Sequence, residues 1–155
     1  MPAPTISHVI LTAALITVVF AVQVFYFYVV DNVWAEMTRR ELKELSDYVA
    51  DTIANLYFLL NATNTNPTLT KTLRLPLDIS GSSYTLQITY DQSNNAQTVK
   101  STMKEKSWLS STAWLPRGLK VDAGKTQVIE SSAKTVVAGC QRVASNIRIW
   151  IAYEG

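Results

Sequence analysis

The sequence predicts an α+β protein: one long N-terminal helix, hydrophobic and then amphipathic, followed by an antiparallel, β-rich, sandwich-like head. Three observations carry this. Residues 9–30 contain no charged side chain, residues 31–60 contain neither Gly nor Pro and place their apolar residues on one stripe, and from Leu69 the apolar period becomes two. A chain of 155 residues has room for one compact domain and one long helix. The expected division is a helix over 1–60, a linker over 61–68 and a head over 69–155.

The first element reads VILTAALITVVFAVQVFYFYVV from Val9 to Val30. That run reaches the roughly 20 apolar residues that a helix needs to cross about 30 Å of hydrocarbon. Its polar residues are Thr12, Thr17 and Gln23, and both Thr hydroxyls can bond back to the helix's own carbonyls. The cluster Phe25, Tyr26, Phe27, Tyr28 closes the run with rings suited to a membrane–water interface. A cleaved secretory signal needs a basic start, a shorter apolar core and small residues at the cleavage site. Met1 to His8 carries no Lys or Arg, and bulky rings stand where Ala is required, so the segment reads as a retained span. If such helices pack together, Ile10, Ala13, Ala14, Ile16, Val18, Ala21 and Gln23 are the candidate contact positions. Small Ala residues permit close approach; Gln23 either bonds across helices or is satisfied by backbone or water.

The second half continues the helix, from about Ile6 to about Leu60 in all, roughly 80 Å at 1.5 Å per residue. Trp34, Met37, Leu42, Leu45, Val49, Ile53, Leu56 and Leu60 recur at three- to five-residue steps. Of these, Leu42, Leu45, Val49, Ile53, Leu56 and Leu60 form the face expected to dock on the head. Arg40–Glu44 and Lys43–Asp47 stand at helix-neighbour spacing on the charged side. The stretch from Asn61 to Thr68, with Pro67, ends the helix, and Asn61-Ala62-Thr63 fits the N-glycosylation acceptor pattern.

In the head, Leu69, Leu73, Leu75, Leu77 and Ile79 alternate with polar residues around Pro76, as do Tyr84, Leu86, Ile88 and Tyr90, and Ile147, Ile149, Ile151 and Tyr153. Ser80-Gly81-Ser82-Ser83 is expected to join the first two as a hairpin-like turn, and Asp91 to Asn95 to turn the chain again. Weaker strands are expected at Thr98–Lys104, Leu119–Asp122, Gln127–Glu130 and Lys134–Ala138, giving about five to seven strands covered by the helix stripe.

No enzyme site is legible. Cys140 is the only cysteine, which rules out a disulfide within the chain, and His8, the only histidine, lies at the membrane edge rather than in the head, which argues against a Ser-His-Asp or Cys-His arrangement there. Single glycines make no phosphate loop, no acidic loop resembles a calcium site, and neither a metal nor a cofactor is expected. Cys140 reads as a buried small residue or an intermolecular link. A formal charge of +2 with scattered Lys and Arg argues against nucleic acid. Trp108, Trp114 and Trp150 read as core and subunit-interface packing, or, with the head tyrosines, as a sugar-binding platform or an adhesive face.

Thr5-Ile6-Ser7-His8-Val9-Ile10, the apolar run and its amphipathic continuation resemble the N-terminal helix of archaeal type IV pilins and archaellum filament proteins. Leu75-Pro76, Ile79-Ser80-Gly81 and Tyr84 are similar to a strand–turn–strand element of archaeal pilin-like heads. The resemblance implies a subunit whose helices pack with copies of itself, with β heads outside the cell. No Lys or Arg precedes the helix, and His8 stands where Pro is common in the family. The same layout belongs to single-span accessory proteins, which keep the helix in lipid and use the head to bind another filament or envelope protein. Arg39, Arg40 and Lys43 after the span favour a cytoplasmic head by charge counting; the Ser/Thr/Asn-rich head, its Asn61 acceptor pattern and the resemblance favour an extracellular one.

Overall fold

A computed structural model describes residues 3–63, 68–144 and 146–154, with side chains from residue 7 onward. The chain divides into two compact units, residues 1–37 and 38–155. Helix α1 is assigned over Ala3–Ala62 and contributes to both.

In the first unit the apolar run is helical throughout, and its large hydrophobic side chains from Val9 to Val33 are 41–69% exposed. No charged residue interrupts Val9–Val30, and nothing in the sequence breaks the backbone ladder. The segment is long and apolar enough to cross a membrane. Met37, which the apolar pattern includes, is exposed.

In the second unit the described residues of the head form eight strands. They are β1 (Thr68–Leu73), β2 (Tyr84–Asp91), β3 (Ala96–Met103), β4 (Ser110–Trp114), β5 (Leu119–Val121), β6 (Ile129–Glu130), β7 (Val136–Val143) and β8 (Asn146–Tyr153). They make two four-stranded sheets, ordered β1-β7-β8-β5 and β4-β3-β2-β6. All pairings are antiparallel except β5 with β8, which is parallel. Alternation explains the inner faces: Leu86, Val99, Ser101 and Met103 from one sheet and Val136, Ala138, Cys140, Ile149 and Ile151 from the other are buried. Leu42, Leu45, Val49, Ile53, Leu56 and Leu60 of α1 are buried in the same unit, between 0% and 6% exposed. Each such burial is worth about 1.5–3 kcal/mol relative to an exposed side chain.

Several elements depart from the sequence reading. Leu75, Leu77 and Ile79 do not extend the first strand, which ends at Leu73 ahead of Pro76. Ser80 and Gly81 do form a tight turn, with φ of 49° and 75° and reciprocal Ile79–Ser82 backbone bonds of 3.0 Å. Positive φ at both central positions is the two-residue hairpin geometry, which Gly81 adopts without a Cβ penalty. That turn does not pair the first two strands, because β1 and β2 lie in different sheets. Residues 92–95 do turn β2 into β3. Strand β4 was absent from the alternation pattern, and β7 runs five residues beyond Ala138, to Val143. At the expected linker, α1 includes Asn61 and Ala62 and β1 begins at Thr68, while Asn64–Pro67 lie outside the described residues.

Candidate assembly surface and head sites

The candidate packing positions Ile10, Ala13, Ala14, Ile16, Val18, Ala21 and Gln23 are all exposed on the helix of the first unit. Thr12 donates to the His8 carbonyl at 2.8 Å and Thr17 to the Ala13 carbonyl at 2.9 Å. The Gln23 amide has no hydrogen-bond partner among the described residues. A shallow apolar groove on the same helix is lined by Thr17, Phe20, Ala21, Val24, Phe25 and Tyr28.

Within the second unit, α1 is fastened to the sheets by polar contacts as well as by its apolar stripe. Ser46 and Ser101 are fully buried: Ser46 Oγ donates to Ser101 Oγ, and Ser101 Oγ to the Leu42 carbonyl. Thr38 donates to Ser80 at 3.1 Å, and Ser80 to Glu41 at 3.2 Å, which ties the Ile79–Ser82 turn to the helix. Lys43 bridges Asp47 at 2.6 Å and also donates to the Thr112 carbonyl on β4 at 3.1 Å. At the helix end the Arg142 guanidinium, from β7, donates to the carbonyls of Leu60 at 3.0 Å and Thr63 at 3.2 Å. A helix C-terminus leaves carbonyls without intrahelical donors and carries partial negative charge, so a cation there satisfies both. Thr38, Ser46 and Thr52 lie on the buried face although their side chains are polar; their helical spacing from Leu42, Leu45 and Val49 is the signal that places them there.

The tryptophans do not form one platform. Trp150 is buried on the outer face of its sheet, directly opposite Gly139. Its indole lies so close over Gly139 that a Cβ there would come within 2.1 Å of the ring, and Lys125 Nζ sits 4.5 Å from the ring centroid. Trp108 and Trp114 are 60% and 54% exposed, so they are not core residues of this chain. The Arg39 guanidinium stands 5.5 Å from the Trp108 ring centroid.

Cys140 is fully buried, and burial pushes its thiol up to about 11. Asn61 is exposed in the last turn of α1, and the Thr63 hydroxyl of its acceptor pattern donates to the Leu60 carbonyl at 3.0 Å. Among the described residues, no group of three or more His, Cys, Asp or Glu is placed to hold a metal ion. Comparison with protein-family models, curated proteins and solved structures finds no match to this chain.

Proposed function

We propose that this chain is a structural subunit of an extracellular, archaeal type IV pilus-like filament, packing on copies of itself through its hydrophobic N-terminal helix and carrying its β head outside the cell. The observation that carries this reading is Gln23. Among Thr12, Thr17 and Gln23, it alone does not bond to its own helix. In hydrocarbon an unpaired amide costs several kcal/mol; in a bundle of like helices the next copy supplies its partner. On nearly the opposite side of the helix, Ala21 on the groove beside Phe20 and Val24 leaves room for the backbone of another neighbour, as a helix surrounded by copies requires.

A second reading keeps the helix in lipid, as the anchor of an accessory protein whose head binds another filament or envelope component. The aromatic cluster Phe25–Tyr28 supports it, because such rings suit a membrane–water interface. Shearing intact cells separates the two. Ordered fibres containing this chain, seen by electron microscopy and identified by mass spectrometry, are the expected result. Recovery only from detergent-solubilised membranes contradicts the filament reading and leaves the anchored protein.

A further inference from the structure

The tip of the β2–β3 hairpin and the turn between β4 and β5 enclose a cleft of about 570 Å³, with Tyr90, Asn94, Asn95, Gln97, Arg117 and Lys120 on its walls. An adjoining hollow shares Asn94 and Arg117 and adds the exposed ring of Trp114. Three properties of these walls select a ligand.

The amides are held in place. Asp91 accepts from the backbone N of Ser93 and from Asn94 Nδ2, each at 2.9 Å, and the Tyr90 hydroxyl donates to the side-chain oxygen of Asn95. Donors and acceptors fixed before binding lose little freedom when a ligand arrives. The two cations are uncommitted: the exposed side chains of Arg117 and Lys120 have no hydrogen-bond or ion-pair partner among the described residues. The third property is the Trp114 ring, 54% exposed in the adjoining hollow, which offers a ligand an apolar face.

A bare anion matches Arg117 and Lys120 but leaves the Asn94 and Asn95 amides and the Trp114 ring without a partner. A neutral sugar offers hydroxyl donors but leaves both cations unmatched. A sugar acid supplies both, and its apolar ring face suits the Trp114 or Tyr90 ring. We propose that this cleft binds an acidic saccharide. Its carboxylate is met by the Arg117 guanidinium and the Lys120 ammonium. Its hydroxyls donate to the side-chain oxygen of Asn94 and accept from the side-chain nitrogen of Asn95, the atoms left over by the bonds to Asp91 and Tyr90. Binding here does not depend on how the N-terminal helices assemble, so it holds for a filament subunit and for an anchored protein alike.

Isothermal titration of the full chain in detergent micelles with trigalacturonate tests this, with maltotriose and inorganic phosphate as comparison probes. The expected result is saturable binding of trigalacturonate with a Kd on the order of 1 mM. Arg117→Gln and Lys120→Gln, both on exposed side chains, are each expected to weaken it about tenfold, as loss of a charge-assisted contact should. Trp114→Ala should weaken it by a smaller factor. The proposal is overturned if trigalacturonate gives no saturable heat, if both charge variants bind like the parent chain, or if maltotriose or phosphate binds as tightly.

Discussion

The hydroxyl of Ser46 on α1 donates to the hydroxyl of Ser101 on β3 at 2.8 Å, and Ser101 in turn donates to the Leu42 carbonyl at 2.9 Å. Both side chains are fully buried beside Leu42, Leu45 and Val49. The pair therefore fixes the register of the helix on the sheet, which a smooth apolar stripe alone would leave free to slide. Ser101→Ala removes the acceptor of a buried hydroxyl and is expected to cost about 1–3 kcal/mol. The double variant Ser46→Ala with Ser101→Ala leaves no orphaned hydroxyl and should recover part of that loss in chemical denaturation.

Arg142 caps the last turn of α1, donating to the carbonyl of Leu60, 82 residues earlier in the chain. No basic residue lies in the helix's own last turn, so the charge comes from β7. Arg142→Gln should lower stability by roughly 1–2 kcal/mol, the scale of a cation at a helix C-terminus. Hydrogen exchange should accelerate first in the last turn of α1, while the β2–β3 hairpin keeps its protection.

Gly139 and Trp150 face each other across β7 and β8, with the indole where a side chain at 139 would stand. Gly139→Ala forces the ring off the sheet, and overpacking of this kind costs about 1–3 kcal/mol. Replacing the ring as well, Gly139→Ala with Trp150→Ala, removes the clash, so the penalty of the Ala at 139 should shrink or vanish in that background when denaturation midpoints are compared.

Tyr84 is fully buried and donates to the Pro76 carbonyl at 2.7 Å. Burial first, and the neighbouring Tyr153 second, push its hydroxyl from an ordinary 10.0 to about 12. Above pH 10 the unfolded chain gives up this proton while the folded chain keeps it, so the stabilisation linked to it is full below pH 10 and is lost as pH rises towards 12. Tyr84→Phe removes that dependence. The stability difference between parent and variant should narrow between those two values when denaturation is followed by near-ultraviolet circular dichroism.

How much of this could be read from the chain varies with the reach of the contact. The helix is legible because an uncharged run and a stripe without Gly or Pro are local patterns. Strand β8 is legible because Ile147, Ile149 and Ile151 alternate. Strand β4 is not: Ser110-Ser111-Thr112-Ala113-Trp114 has no apolar alternation, and only its pairing with β3 makes it a strand. Leu75, Leu77 and Ile79 show the converse, an alternation that Pro76 and the tight turn at Ser80-Gly81 keep from becoming a ladder. The cap from Arg142, the Ser46–Ser101 bond and the cleft walls at Asn95 and Arg117 join residues far apart in sequence or in separate turns. No periodicity marks such pairs.

The most direct test of the account is a photo-crosslinking residue in place of Val24, on the exposed groove of the helix and with Gln23 kept, irradiated in intact cells. Copy-to-copy packing of the helix predicts a product of twice the chain's 17.2 kDa whose peptides all come from this protein. A product joined only to a different protein, or to lipid alone, would contradict it.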